Sequence, residues 1–303
     1  MTELSKKILE NYQVRKSPKQ KKAFISLMKT YFPQMQVQEG GFPKSRNLII
    51  GDVEKADVWL TAHYDTCAWM PLPNLITPKA PLYTILYSIV LYIPIFAVVL
   101  LLNLLMGVLF TSYPTFLFSF AASVLLLLPM FFGPANLHTA NDNTSGVITL
   151  CELLRTLSAK QRKKVAFIFF DNEELGMLGS AAFRRKYKAI ADSKLVINFD
   201  CVSDGDHIMV AASKEARASY GQALDDAFVP TEEKSILLSN AEKVYYPSDQ
   251  AMFRQGVAVA ALKKAPIVGY YMDRIHTHRD TVFDKANIKL LCESILKLLK
   301  TIA

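Results

Sequence analysis

A long stretch without charge in the middle of the sequence constrains the fold more than any other feature. Between Lys79 and Asp142 lie 62 residues that include no Asp, Glu, Lys or Arg. Soluble domains rarely show this over such a length, because charged side chains cover the outer faces of their helices. The sequence on either side is typical of a soluble protein. An apolar segment therefore interrupts a globular domain.

This stretch contains two segments of the length that a bilayer requires. Residues 82–106 and 115–132 are free of charge. As helices they would extend roughly 37 Å and 27 Å, close to the hydrocarbon core of about 30 Å. We predict an inserted transmembrane hairpin at residues 81–133, with residues 1–80 and 134–303 forming one domain on the same side. Two buried helices in a lid or a dimer interface are the alternative.

Charge and cysteine content narrow the classes of partner. The net charge of +8 comes without an Arg-aromatic pattern for nucleic acid, so attraction to a lipid surface is the interpretation we prefer. The first residues show no pattern of a secretory signal, so we expect the globular parts to lie in the cytoplasm. No C-x-x-C pair occurs, so we expect buried free thiols rather than a disulfide framework at Cys67, Cys151, Cys201 and Cys292.

The flanking regions alternate between strand and helix patterns. Runs of Val, Ile, Leu and Phe without strict alternation are typical of strands that helices cover on both faces. We predict a mixed, largely parallel central sheet sandwiched by helices. The predicted strands are 35–38, 47–50, 57–62, 164–170, 194–199, 207–210, 257–262 and 266–271. The predicted helices are two before residue 35, then 145–157, 180–187, 214–228 and 286–302.

Metal-competent side chains follow one another in a fixed order, several of them where a predicted strand ends. They are His63, Asp65, Asp142, Glu173, Glu174, Asp200 and His276. Imidazoles and carboxylates are ligands that Zn²⁺ takes in proteins, and zinc sites of this kind activate water. In open α/β sheets the site lies beyond the carboxyl ends of the strands. The pattern indicates a metal-dependent hydrolase.

The motifs around these residues resemble the zinc aminopeptidase family M28. They are Thr-Ala-His-Tyr-Asp-Thr, Asn-Asp-Asn-Thr-Ser-Gly, Glu-Glu-Leu-Gly, Asn-Phe-Asp and His-Thr-His-Arg-Asp-Thr. A further segment, Tyr-Pro-Ser-Asp-Gln-Ala-Met-Phe, resembles the one that precedes the family's penultimate strand. Each motif is weak alone, but together in this order they are specific. Gln250 departs from the family, which often has His there.

The resemblance implies a pair of Zn²⁺ ions. His63 and Asp200 would bind one ion, Glu174 and His276 the other, and Asp142 would bridge them. His276 is preferred to the neighbouring His278 because it fits the family's His-Thr-x-x-Asp-Thr frame.

The resemblance also assigns residues that do not bind the metals. Asp65 would orient the His63 imidazole by accepting its free N–H. Glu173 would act as the general base that moves a proton from the bridging water to the leaving amine. Tyr245 matches a position where some members place a tyrosine that stabilises the oxyanion.

Together these features predict a membrane-anchored dinuclear zinc aminopeptidase at the cytoplasmic membrane surface. Its expected partners are the lipid bilayer and peptide substrates, apolar or membrane-released, and no nucleic acid. One alternative is a glutaminyl-cyclase-like acyltransferase with a single metal. Another is a membrane receptor or scaffold that kept the fold without the chemistry. The sequence does not predict the oligomeric state.

Overall fold

The computed structural model describes residues 1–302 and contains a mixed sheet flanked by helices. The strands are β1 (Gln36–Gly40), β2 (Ser45–Ile50), β3 (Val58–His63), β4 (Val165–Phe170), β5 (Leu195–Phe199), β6 (His207–Ala212), β7 (Ser235–Asn240), β8 (Gly256–Ala265) and β9 (Gly269–Tyr271). The helices are α1 (Glu3–Asn11), α2 (Pro18–Tyr31), α3 (Pro81–Leu109), α4 (Thr115–Phe132), α5 (Gly146–Thr156), α6 (Ala159–Arg162), α7 (Leu178–Lys186), α8 (Lys188–Ala191), α9 (Lys214–Ala227) and α10 (Lys285–Thr301). The predicted fold class is confirmed.

The centre of the sheet is parallel. Its strand order is β1-β2-β4-β3-β5-β8-β6-β7, and β9 pairs with the end of β8. Strands β3, β4, β5 and β8 run parallel. On one side, β2 pairs antiparallel with both β4 and β1. On the other side, β6 pairs antiparallel with β8 and parallel with β7. Every residue of β3, β4 and β5 is buried, as expected for strands covered on both faces.

Two details of the sheet differ from the sequence prediction. Strand β7 was not predicted, because its half-buried and exposed residues give it no apolar run. Residues 266–271 were predicted as an independent strand, but they form a turn and the short β9, which folds back antiparallel on β8.

Apolar clusters on the two sides of the sheet hold the helices. On one side, α1, α2, α5, α9 and α10 bury a continuous core against the strands. On the other side, the fully buried Trp59 ring packs edge-on against Phe183 of α7, with the ring centroids 5.1 Å apart. Edge-to-face aromatic pairs add to the energy gained from burial. Because both faces are covered, only the strand ends remain accessible for a site.

The helices α3 and α4 extend the fold in a different way. They pack against each other, and their most apolar 18-residue windows are only 6% and 0% buried. A core helix of a soluble domain would bury most of such a window. By length and composition both helices could cross a membrane. Near the far end of the pair, Asn103 donates a hydrogen bond to the Ser119 hydroxyl at 3.0 Å, which links the two helices.

Candidate metal centre

Three neighbouring strands deliver chemically active side chains to one edge of the sheet. Strand β3 ends on His63, Glu173 and Glu174 follow β4, and Asp200 directly follows β5. These strands are parallel neighbours, so their carboxyl ends lie side by side. The remaining predicted ligands come from loops: Asp142 precedes α5, and His276 lies between β9 and α10.

The Asp142 carboxylate lies between the two histidines. Its Oδ1 is 3.3 Å from His63 Nε2, and its Oδ2 is 3.1 Å from His276 Nε2. Each imidazole also faces a second carboxylate: His63 Nε2 is 3.3 Å from Asp200 Oδ1, and His276 Nε2 is 3.3 Å from Glu174 Oε2. One carboxylate thus joins two clusters, and each cluster also contains one imidazole and one further carboxylate.

The adjacent glutamates point to different parts of the site. Glu173 Oε2 is 4.0 Å from His63 Nε2, whereas Glu174 Oε2 is 3.3 Å from His276 Nε2, and the two glutamates bring carboxylate oxygens within 4.8 Å of each other. Within residues 1–302, the buried Oε1 of Glu174 finds no hydrogen-bond partner. A buried carboxylate oxygen without a partner is costly, and a cation satisfies it. The donor set of imidazole nitrogens and carboxylate oxygens fits zinc.

Burial and the neighbouring charges shift the pKa values of these groups in opposing directions. Burial lowers the pKa of His276, but Glu174 and Asp142 outweigh this effect and raise it to about 9. Burial raises the pKa of Glu174 to about 8, against the opposing effect of the nearby His276. Burial also raises the pKa of Glu173. Raised pKa values mean that these groups retain protons, and a cation that binds among them displaces those protons.

The predicted ligands border a cleft of about 330 Å³ that also takes residues from other segments. Thr84 reaches the cleft from α3, and Tyr245 and Tyr246 form another part of its wall. The apolar helix pair therefore contributes directly to the same cleft as the metal-competent residues.

Sequence comparison assigns the chain to a family. The sequence model of peptidase family M28 matches residues 124–298, more than half of the 303-residue chain. The chain belongs to peptidase family M28. None of the curated proteins is a significant match to it.

Solved structures share the fold of this M28 peptidase at low sequence identity. The LapA aminopeptidase of Legionella pneumophila superposes with a TM-score of 0.57 at 13% identity, over 99% of this chain and 70% of that one. A Zn-dependent exopeptidase from Parabacteroides distasonis superposes with a TM-score of 0.57 at 14% identity, over 98% of this chain and 94% of that one. The glutaminyl cyclase of Porphyromonas gingivalis superposes with a TM-score of 0.60 at 13% identity, over 99% of this chain and 96% of that one. The fold is that of the zinc peptidases, and the family implies zinc in this site.

In this M28 peptidase both the backbone oxygen and the carboxylate of Asp65 lie beside the His63 imidazole. The backbone oxygen of Asp65, and not its carboxylate, accepts the His63 Nδ1–H at 3.1 Å, whereas Oδ1 lies 3.7 Å from Nδ1. This contact leaves the Nε2 lone pair directed at the cluster. The Asp65 carboxylate accepts the backbone N–H groups of Glu173 and Glu174 at 3.0 and 3.2 Å. Asp65 therefore fixes the loop that presents both glutamates.

Further positioning residues of the M28 peptidase were missed in the sequence. The Asp280 carboxylate accepts the backbone N–H groups of Asn141 and Asp142 at 2.8 and 3.0 Å. Its place in the His-Thr-His-Arg-Asp-Thr motif was the available signal. Lys21 of α2 donates to Asp171 at 2.5 Å and to Asn172, just before the two glutamates. No sequence signal distinguished Lys21 from the other lysines nearby.

Other candidate residues lie at or outside the edge of the cleft. Tyr245 lines the cleft with 54% of its surface exposed. The hydroxyl of the neighbouring Tyr246 donates to the backbone oxygen of Asp200 at 3.1 Å. His278 lines a separate cavity beside His138, whereas His276 lies in the cluster.

Proposed function

We propose that this M28 peptidase is a membrane-anchored dinuclear zinc aminopeptidase that acts on peptides at the cytoplasmic membrane surface. The observation that carries the proposal is the position of Asp142, with one oxygen near His63 and the other near His276. That arrangement suits a carboxylate that bridges two ions.

The residues divide into two ligand sets and a proton carrier. His63 and Asp200 would hold one ion, Glu174 and His276 the other, and Asp142 both. When bound, zinc polarises a carbonyl oxygen and lowers the pKa of water, so that attack occurs near neutral pH. Glu173 takes the proton from the attacking water and delivers it to the leaving amine. Its backbone N–H, held by Asp65, keeps the carboxylate in place.

The charge of the cleft supports cleavage from the amino end. Its described lining includes the four carboxylates of Asp142, Glu173, Glu174 and Asp200, and neither Lys nor Arg. Two bound Zn²⁺ ions would neutralise these four carboxylates, so the support lies in the lack of a Lys or Arg in this lining that could pair with the terminal carboxylate of a substrate. Tyr245, on the outer wall, would donate to the oxyanion that forms as the carbonyl is attacked.

The helix pair supports membrane anchoring. Almost none of the residues in the two apolar windows is buried, and α3 supplies Thr84 to the cleft. Insertion of the pair would anchor the protein and hold the cleft at the membrane. The two helices return the chain to the side from which it entered, so residues 1–80 and 134–303 would share the cytoplasmic side around an inserted hairpin. The bilayer would then be one partner and apolar or membrane-released peptides the other.

A glutaminyl-cyclase-like acyltransferase is the second candidate, because a glutaminyl cyclase is among the structural neighbours. Metal content separates the candidates. Purified protein should hold two zinc ions per chain and hydrolyse aminoacyl-p-nitroanilides. One ion per chain together with cyclisation of N-terminal Gln peptides would support the acyltransferase. No bound metal would support a receptor or scaffold.

A further inference from the structure

Three cavities lie in a row from the metal centre to the base of the helix pair. The metal cleft of about 330 Å³ shares Asn74, Glu174 and His276 with a second cavity of about 490 Å³, which we call the vestibule. The vestibule in turn shares Met70, Asn74 and Met130 with a third cavity, also of about 490 Å³. Asn74 borders all three, so the three cavities are adjacent to one another.

The third cavity, which we call the apolar chamber, is built mainly by the helix pair. Its described lining has no charged residue. It includes Trp69 from the loop after β3, Leu91 and Ile95 from α3, and Leu126 and Met130 from α4. Its volume lies within the range of roughly 300–1,000 Å³ that is typical of ligand pockets. An apolar chamber of this size is suited to several aliphatic or aromatic side chains.

The order of the cavities indicates which part of a substrate reaches the chamber. An aminopeptidase holds the free amino end and the scissile bond at its metals, so the rest of the peptide must leave the cleft. The vestibule is the way out that borders Glu174 and His276. A peptide that continues through it next meets the chamber. The chamber therefore lies on the carboxyl side of the scissile bond.

We propose that the apolar chamber is a binding subsite for apolar residues on the carboxyl side of the scissile bond of a membrane-released peptide. This inference rests on the proposed aminopeptidase function and adds a substrate class to it. A peptide is favoured over a lipid acyl chain because the chamber adjoins the vestibule that borders Glu174 and His276, and only a peptide carries a bond for the metal centre to cleave. The chamber lies in the part of the fold that would contact the bilayer, where such a peptide is concentrated.

The kinetic test uses the full-length protein in nanodiscs and matched peptides. All peptides share their first two residues and then carry either three Leu or three Ser. Burial of one Leu side chain favours binding roughly tenfold to a hundredfold. We expect the Leu peptides to show at least a tenfold higher kcat/KM. Leu91→Trp should bring this ratio close to one by filling the chamber.

The matched control lies two residues away on the same helix. Ile89 is 53% exposed and outside the chamber lining. Ile89→Trp should therefore keep the wild-type ratio. If Leu91→Trp keeps it as well, or if both variants lower it equally, partition of the peptide into the bilayer explains the preference and the chamber proposal is wrong.

A binding measurement makes the inference independent of catalysis. The chain has two tryptophans: Trp69 lines the chamber, and Trp59 is fully buried in the core. A peptide with p-bromophenylalanine at its third residue should quench Trp69 fluorescence in Glu173→Gln, and Trp69→Phe should abolish the quenching. Quenching by lipids brominated in their acyl chains, with none by the peptide, would assign the chamber to lipid. Peptide quenching without zinc-dependent hydrolysis would sink the proposed function and leave the subsite standing.

Discussion

Replacing Glu173 by Gln tests the proposed mechanism most directly, because the change removes a proton acceptor and keeps the shape of the side chain. General bases contribute about 10²- to 10⁴-fold, or roughly 2.7–5.5 kcal/mol of the barrier. The Glu173 side chain is 15% exposed, so bulk water has little access to take over its role as proton acceptor. Of the carboxylates whose charges act on Glu173, Asp200 and Glu174 are proposed ligands, and Asp249 does not line the cleft. We therefore expect a loss of kcat in the upper half of that range, about 10³- to 10⁴-fold.

The assay combines turnover of Leu-p-nitroanilide with the zinc content of the same sample. Glu173→Gln should keep both zinc ions and its thermal unfolding midpoint. Glu232→Gln, in the exposed segment before β7, is the control and should resemble the wild type. A carboxylate oxygen of Glu173 also lies within 4.8 Å of the donor atoms of His63 and Glu174. Loss of zinc would therefore show that Glu173 is a ligand, and a kcat within tenfold of wild type would refute its role as the base.

The remaining predictions concern the metals and the helix pair. Asp142→Ala should release at least one zinc ion, and full occupancy by elemental analysis would contradict the bridging role. Zinc binding at pH 7 should release protons, because the contacting pair of Glu174 and His276, with pKa values of about 8 and 9, holds at least one proton there. Zinc affinity should accordingly rise with pH up to those values, and calorimetry in buffers of different ionisation enthalpy counts the protons. Replacing α3, α4 and their connection by a Gly/Ser linker should free the protein from membranes and leave zinc bound, since the proposed ligands all lie elsewhere; retention on membranes after a high-salt wash would argue against anchoring by the pair.

Local sequence patterns were sufficient to predict the α/β class and to predict that the candidate ligands lie together at one edge of the sheet. Buried parallel strands have a recognisable composition, and the residues that follow them must meet at one edge of the sheet. His63, Glu174 and Asp200 follow this rule. The length and apolar character of α3 and α4 were equally evident, because both are properties of a single segment.

Other features depend on contacts between distant segments, which local spacing does not encode. The carboxylate of Asp65 accepts N–H groups from residues more than 100 positions away, and Lys21 of α2 pairs with Asp171. The direction of a side chain at a strand end is set by what packs around it, so the motif could not show that the backbone of Asp65 holds His63.

The apolar chamber is the clearest case of a feature that only the tertiary structure determined. Its walls come from the loop after β3 and from both long helices, and none of these segments encloses the space by itself. The sequence determined that the chain carries metal-competent residues and two long apolar helices. The packing of those helices beside the strand ends determined that an apolar chamber lies near the metal cleft, because a cavity is formed by the space between segments and by none of them alone.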